Sequence, residues 1–186
     1  MRFGITTLMG PLGGSFLAVP PYGILTIVPD DIQVALVDDD AAFRSSLRLL
    51  VNGSPGFACS GDWPSVEAAV ASPKLGAADV LLLDLHLPGV DGDEGVAEVL
   101  GLHPKLTVLM FTAFGDDQRV FRSLCRGASG YLLKNTTPAK LLEATRKAIK
   151  INTEIETNLK TFNQHLGDAV KNIKGQQLPI WIQEAE

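Results

Sequence analysis

Apolar runs alternate with amphipathic stretches five times along the central part of the chain, and this pattern predicts strands that each precede a helix. Residues 80–83 (VLLL) are apolar throughout, which is typical of a strand buried on both faces. We expect strands at residues 34–37, 57–61, 80–83, 106–111 and 129–133. Short alternating units of this kind indicate an α/β fold, with a doubly wound five-stranded parallel sheet and right-handed crossovers.

The stretches between these runs carry apolar residues at helical spacing and begin at capping residues. Asp40, Ser65 and Thr137 are N-cap candidates, and Pro138 suits the first position of the last helix. The fourth helix is expected to carry Val120, Phe121 and Leu124 on one face. We expect helices at residues 41–52, 66–71, 92–102 and 116–126, and a fifth from residue 138.

The chain divides into three parts that differ in composition and in hydrophobic pattern. Residues 1–31 lack periodicity and are rich in Gly and Pro, so we expect a poorly ordered leader, with a short strand at Ile24 to Val28 as an alternative. Residues 32–150 form the predicted domain, and residues 151–186 form a helical extension. A short apolar hook is expected at residues 179–182.

The extension has apolar residues spaced alternately by four and three, which is the heptad pattern of a coiled coil. This pattern favours either one long helix from Pro138 to Lys174 or, because Thr153 and Glu156 have capping-box spacing, a separate second helix. A dimerisation or partner helix, a helix packed on its own domain, and disorder all remain open. The heptad residues are Ile155, Leu159, Phe162, Leu166, Ala169 and Ile173.

Composition narrows the class of protein. The chain has 186 residues and a net charge of −5, which argues against a protein that mainly coats nucleic acid. Its two cysteines fit no metal or redox motif, and no apolar run reaches the length of about 18 residues that a membrane helix needs. We expect a cytoplasmic protein without a membrane segment.

Polar residues follow four of the five predicted strands. Because parallel strands end at the same edge of a sheet, these side chains should converge there. Several carboxylates in one place are ligands for Mg²⁺, a lysine supplies a positive charge, and a threonine supplies a hydroxyl donor. Together they suit a phosphoryl group on Asp84. The residues at the strand ends are Asp38, Asp39, Asp84, Thr112 and Lys134.

Four motifs in this order resemble the receiver domain of bacterial two-component response regulators. They are Leu36 to Asp39, the stretch from Leu83 to Gly92, Phe111 to Ala113, and Gly130 to Lys134. The resemblance covers about two-thirds of the chain and implies a flavodoxin-like fold. Its details are similar to the subgroup usually joined to a LuxR-type helix-turn-helix domain, but residues 151–186 are too few and too acidic for that module.

The resemblance implies a role for each site residue. Asp84 would be the phosphoacceptor, and a histidine kinase would be the donor. Asp39 would bind Mg²⁺ directly and Asp38 partly through water, with Asp84 and the backbone carbonyl of His86 completing the ligands. The phosphate would pair with Lys134. A further pair would form the switch, namely Thr112 and Tyr131.

Other interpretations remain open. Tyr131 in a strand also fits a core aromatic. The chain could instead be a phosphorylation-independent interaction or dimerisation module, or a truncated DNA-binding regulator. A Mg²⁺-dependent phosphatase is disfavoured because His86 stands where such enzymes carry a second aspartate. We therefore expect phosphoacceptor chemistry without other enzyme activity, possible homodimers through the receiver face or residues 151–174, and no direct DNA contact.

Overall fold

The computed structural model describes residues 8–9, 15–16, 30–113 and 117–175. Two short antiparallel strands, β1 (Leu8–Met9) and β2 (Ser15–Phe16), lie within the first 31 residues, and the sequence pattern did not predict them. The strand considered at Ile24 to Val28 and the apolar hook at residues 179–182 lie outside the described residues.

The remaining five strands form one parallel sheet, as the alternating pattern predicted. Its order is β4-β3-β5-β6-β7, the flavodoxin-like arrangement in which the chain reverses direction beside the first strand of the sheet. Strand β5 is buried at all four positions, which explains its purely apolar sequence. The strands are β3 (Ile32–Val37), β4 (Phe57–Trp63), β5 (Val80–Leu83), β6 (Thr107–Thr112) and β7 (Gly130–Leu133).

In the described part of the chain, five α-helices and a short 3₁₀ helix connect and cover the strands. They enclose two apolar clusters, one on each face of the sheet. The predicted caps form at two helices, since the Asp40 side chain accepts from the amides of Ala42 and Phe43, and that of Ser65 accepts from Ala68. The helices are α1 (Ala41–Asn52), α2 (Val66–Val70), the 3₁₀ helix Pro73–Ala77, α3 (Gly92–Leu102), α4 (Asp117–Cys125) and α5 (Pro138–Gly175).

The three apolar residues predicted on one face of α4 differ in burial. Val120 is buried, but Phe121 is 65% exposed and Leu124 is 40% exposed. Ser123 is fully buried on this helix. Arginines of α4, and Arg126 directly after it, make ion pairs with a carboxylate of α3 that are consistent with this orientation.

Helix α5 is continuous for 38 residues, so the alternative of a separate helix starting near Thr153 is wrong. The Thr153 hydroxyl donates to the carbonyl of Ile149, within the helix, instead of capping a new one. Among the described residues, no helix is both long and apolar enough to cross a membrane.

Candidate functional site

The carboxyl ends of the sheet strands bring the predicted site residues together. Residues paired across the sheet include Val37 with Leu83, and Thr112 with Leu133. The residues after these strand ends are therefore neighbours, although up to 96 positions separate them in the chain. The convergence predicted for Asp38, Asp84 and Lys134 is confirmed by their contacts.

Three aspartates form an acidic cluster at this edge. One carboxylate oxygen from each of Asp38, Asp39 and Asp84 lies within 4.8 Å of the others. Asp38 and Asp84 are buried, with 4% and 5% exposure, whereas Asp39 is exposed. Clustered carboxylate oxygens that solvent can reach from one side are suitable ligands for a hard divalent cation such as Mg²⁺. The donor set therefore fits the predicted metal.

Lys134 bridges the two buried carboxylates. Its Nζ lies 2.5 Å from Asp38 Oδ2 and 2.8 Å from Asp84 Oδ2. The same ammonium lies 4.8 Å from the centre of the Phe43 ring, a cation–π contact that also packs the lysine stem. The cation thus partly neutralises a pair of carboxylates that would otherwise repel each other.

The protonation equilibria of Asp38 and Lys134 reflect this arrangement. Burial raises the pKa of the Asp38 carboxyl, although the hydrogen bonds from Lys134 and from the amide of Asp40 oppose the shift. Burial alone would lower the pKa of Lys134, but its hydrogen bonds to Asp38 and Asp84 raise the pKa above its usual value. Lys134 is therefore a fixed cation at neutral pH.

The loop after β3 is held by hydrogen bonds to Asp38 and Asp40. The amide of Asp40 donates to Asp38 Oδ1 at 3.0 Å, and the Arg44 guanidinium donates to the Asp38 carbonyl. Hydrogen bonds from the amides of Phe43 and Ala42 lower the pKa of Asp40, which caps α1. Asp40 thus belongs to the helix start, while the first two acids of the run face the site.

The loop after β5 is held against Asp84. The amide of His86 donates to Asp84 Oδ1 at 3.4 Å, and the imidazole of His86 is on the exposed surface. Gly92 begins α3 so close to this strand end that a Cβ atom there would lie 1.9 Å from the Asp84 carbonyl oxygen. Glycine at position 92 therefore allows a close backbone approach.

Thr112 and Tyr131 occupy different environments. Thr112 is fully buried at the end of β6, and its carbonyl accepts from the Lys134 amide at 2.8 Å. Tyr131 lies on the neighbouring strand β7, opposite Met110, and is 51% exposed. The alternative that Tyr131 is a core aromatic is therefore wrong.

Sequence reasoning missed an ionic cluster beside the site. Asp93, in the first turn of α3, is only 3% exposed and binds arginines in α4 and directly after it. Asp93 Oδ2 accepts from Arg122 Nε at 2.9 Å and from Arg126 Nη1 at 3.0 Å, and Arg119 Nη2 lies 3.6 Å from Oδ1. Arg119 also pairs with Asp91. Burial alone would raise the pKa of Asp93, but the hydrogen bond from Arg122 and the charges of the arginines lower it.

A sequence signal for this cluster existed. The three arginines are spaced by three and four residues, which places them on one face of a helix. Such a face is suited to pairing with a carboxylate of a neighbouring element. The periodicity of the apolar residues alone did not reveal it.

Fold and site together define a class: a doubly wound parallel α/β domain with an acidic cluster and a bridging lysine at the carboxyl edge of its sheet. A family model described as the response regulator receiver domain matches residues 34–146. The chain belongs to the response regulator receiver domain family. The resemblance carried by the four sequence motifs is thereby confirmed.

Relatives among curated proteins and solved structures agree with this family assignment. The chain is 32% identical over 121 residues to the uncharacterized transcriptional regulatory protein YxjL of Bacillus subtilis, covering 65% of this chain and 56% of that protein. It is 32% identical over 115 residues to the transcriptional regulatory protein DegU of Brevibacillus brevis. This match covers 62% of this chain and 49% of that protein. The chain thus spans about half the length of these relatives.

A solved structure shares both fold and sequence. The signal receiver domain of the putative response regulator NarL from Mycobacterium tuberculosis superposes with a TM-score of 0.61 at 30% identity. The match covers 66% of this chain and 98% of that chain. The doubly wound parallel fold predicted from the alternating pattern, and the flavodoxin-like arrangement implied by the resemblance, are confirmed.

Proposed function

We propose that this receiver accepts a phosphoryl group on Asp84 from a histidine kinase, in a reaction that depends on Mg²⁺. The observation that carries the proposal is the cluster of Asp38, Asp39 and Asp84 with Lys134 between the two buried carboxylates. Membership of the receiver family supports the same chemistry.

The proposed transfer step uses the residues at the carboxyl edge of the sheet. An Asp84 carboxylate oxygen attacks phosphorus, the bond between phosphorus and the kinase histidine nitrogen breaks, and its electron pair stays on the imidazole. Bound Mg²⁺, held by Asp38, Asp39, Asp84 and the His86 carbonyl, would supply positive charge to the transferring oxygens. Lys134 pairs with a phosphoryl oxygen after transfer, since its ammonium is already within hydrogen-bond distance of Asp84. Hydrolysis of the acyl phosphate then restores the carboxylate, and we propose no other enzyme activity.

The switch would use Thr112 and Tyr131. The Thr112 hydroxyl would move toward the new phosphoryl dianion, and Tyr131 would turn inward as Thr112 vacates space. What supports this is that the two residues lie on adjacent strands, with Thr112 fully buried and Tyr131 half exposed. Phosphorylation would thus change the surface of α4 and β7 by biasing an existing equilibrium.

The direct test is intact mass spectrometry after incubation with Mg²⁺ and acetyl phosphate. We expect the wild-type chain to gain one phosphoryl group and Asp84→Asn to gain none. Asp91→Asn is the matched control, because it changes an aspartate of the same loop that is exposed and makes no cap hydrogen bond. No gain in the wild type, with Mg²⁺ bound and the fold intact, would favour the phosphorylation-independent interaction module.

A second candidate function is transcriptional regulation by a longer protein. The relatives named transcriptional regulatory proteins favour it, because this chain spans about half their length. In that case DNA binding would reside outside the family match, and the α5 extension itself would not contact DNA. Sequencing of the coding locus, combined with DNA mobility-shift measurements on its full product, tests this candidate.

A further inference from the structure

The face of α5 that packs on the receiver core continues as an exposed apolar seam beyond it. Leu141, Thr145 and Ala148 are buried at 2%, 2% and 6% exposure. Asn152 ends this contact, and its amide donates to the hydroxyls of Thr107 and Ser129 at 3.0 Å each. Helix spacing of three and four places the next positions, from Ile155 onward, on the same face.

From this point the seam has no cover among the described residues. Ile155, Leu159, Phe162 and Leu166 are 58%, 56%, 57% and 48% exposed. The expectation that this segment folds back on its own domain is therefore wrong for the described part of α5. The sequence continues the repeat at Ala169 and Ile173, whose side chains lie outside the described residues.

We propose that this seam pairs two copies of the chain as an antiparallel coiled coil. The alternation of four and three residues is self-complementary, as a coiled coil requires. The residues that flank the described seam are Glu156, Asn158, Asn163 and His165, so each copy brings one flanking carboxylate and no row of like charges. A second copy of this chain is therefore the occupant that the seam fits.

The apolar area is adequate for such a pair. Side chains of this size, about half exposed, each cover on the order of 100 Å² when packed. With the flanking positions of both helices, a pair would remove on the order of 1,000 Å² from water, which is the threshold for a specific interface. An unpaired helix would leave its half of this apolar area in water.

The position of the receiver domain on α5 favours an antiparallel orientation of the two helices. Residues 141–152 use the seam face to bind their own sheet, so a parallel second helix would run into the space that the first domain occupies. In an antiparallel pair each domain lies beyond the end of the other helix. The free part of α5, residues 153–175, is about 35 Å long, which is enough to separate the two domains.

Residues near the middle of the free segment meet at the centre of the antiparallel pair. Packing a positions against d positions places Phe162 of one copy against Leu166 of the other, with the two-fold axis near residue 164. The pairing is independent of the chemistry at Asp84, so Asp84→Asn should leave it unchanged.

Light scattering coupled to size exclusion tests the pairing with the full chain. We expect a dimer for the wild type, and Phe162→Glu should raise the dissociation constant at least about a hundredfold. Leu49→Glu is the matched control, because Leu49 is 72% exposed on α1, and it should remain dimeric. A monomeric wild type, or a Phe162→Glu dimer of unchanged affinity with unchanged circular dichroism, would overturn the proposal.

A distance measurement tests the orientation. Lys150→Cys, in a chain with Cys59→Ser and Cys125→Ser, places a spin label on an exposed position before the seam. The antiparallel pair predicts about 40 Å between the two labels, from the rise of the helix on both sides of the axis. A distance of about 10–15 Å, as expected for adjacent parallel helices, would overturn it.

Discussion

Asp93→Asn removes the carboxylate charge that two arginines of α4, Arg119 and Arg122, share with Arg126 directly after the helix. Two hydrogen bonds from charged donors reach Asp93 Oδ2, and such bonds contribute about 1.5 kcal/mol each at the lower end of their range. Arg122 and Arg126 are 49% and 35% exposed, so solvent screening reduces their sum. We expect a loss of about 2 kcal/mol in the free energy of unfolding, and a decrease of about 4–8 °C in melting temperature.

The pH dependence of the stability difference between the wild type and Asp93→Asn shows whether the charge of Asp93 or its packing stabilises the fold. The pKa of Asp93 is lowered in the folded chain, so its ionised form stabilises the fold above the unfolded pKa of about 3.9. That contribution is lost as the pH falls through the lower folded pKa. The difference between wild type and Asp93→Asn should therefore be constant from about pH 5 to pH 8 and shrink below about pH 4.

Urea unfolding followed by circular dichroism at pH 7 and pH 3 measures this difference. Asp91→Asn is the matched control, because Asp91 is 45% exposed, and its pair with Arg119 should contribute about 0–1 kcal/mol. A deficit for Asp93→Asn that is equal at both pH values would refute the electrostatic reasoning. It would show that the shape of the side chain, rather than its charge, holds α4 on α3.

Three further predictions concern the edge of the sheet. Gly92→Ala should lower the free energy of unfolding by more than about 3 kcal/mol, because its Cβ would meet the Asp84 carbonyl, whereas Gly101→Ala, which has open space, should be neutral or stabilising in the same denaturant titration. Added Mg²⁺ should raise the melting temperature of the wild type, and Asp39→Asn should weaken this effect because it removes an exposed ligand. Lys134→Met should bind Mg²⁺ about tenfold more tightly in calorimetric titration, because it removes a cation that contacts the same carboxylates, yet accept phosphoryl groups more slowly.

Each of these has a contradicting result. Equal stability of the two glycine variants would show that the loop after β5 has room to shift. A Mg²⁺ effect that survives in Asp39→Asn would place the ion elsewhere. Unchanged Mg²⁺ affinity in Lys134→Met would mean that the lysine does not compete with the metal.

The sequence by itself determined the order of the five sheet strands and the five α-helices of the receiver domain, and the residues at the strand ends. These follow from local patterns: apolar runs define buried strands, and a parallel sheet brings their carboxyl ends to one edge. Asp38, Asp39, Asp84 and Lys134 could therefore be assigned to one site before their contacts were known. The sequence left two predictions for the length of α5. The heptad spacing favoured one long helix, whereas the capping-box spacing favoured two separate helices.

Tertiary structure decided which face each helix buries and which side chains stay in water. Phe121 is exposed on α4, and the ion pairs of Asp93 with Arg122 and Arg126 join residues about 30 positions apart, which no local pattern shows. Tyr131 is half exposed, although its strand is apolar. The seam of α5 is likewise buried up to Ala148 and exposed from Ile155, because only the tertiary fold determines where the domain ends along the helix.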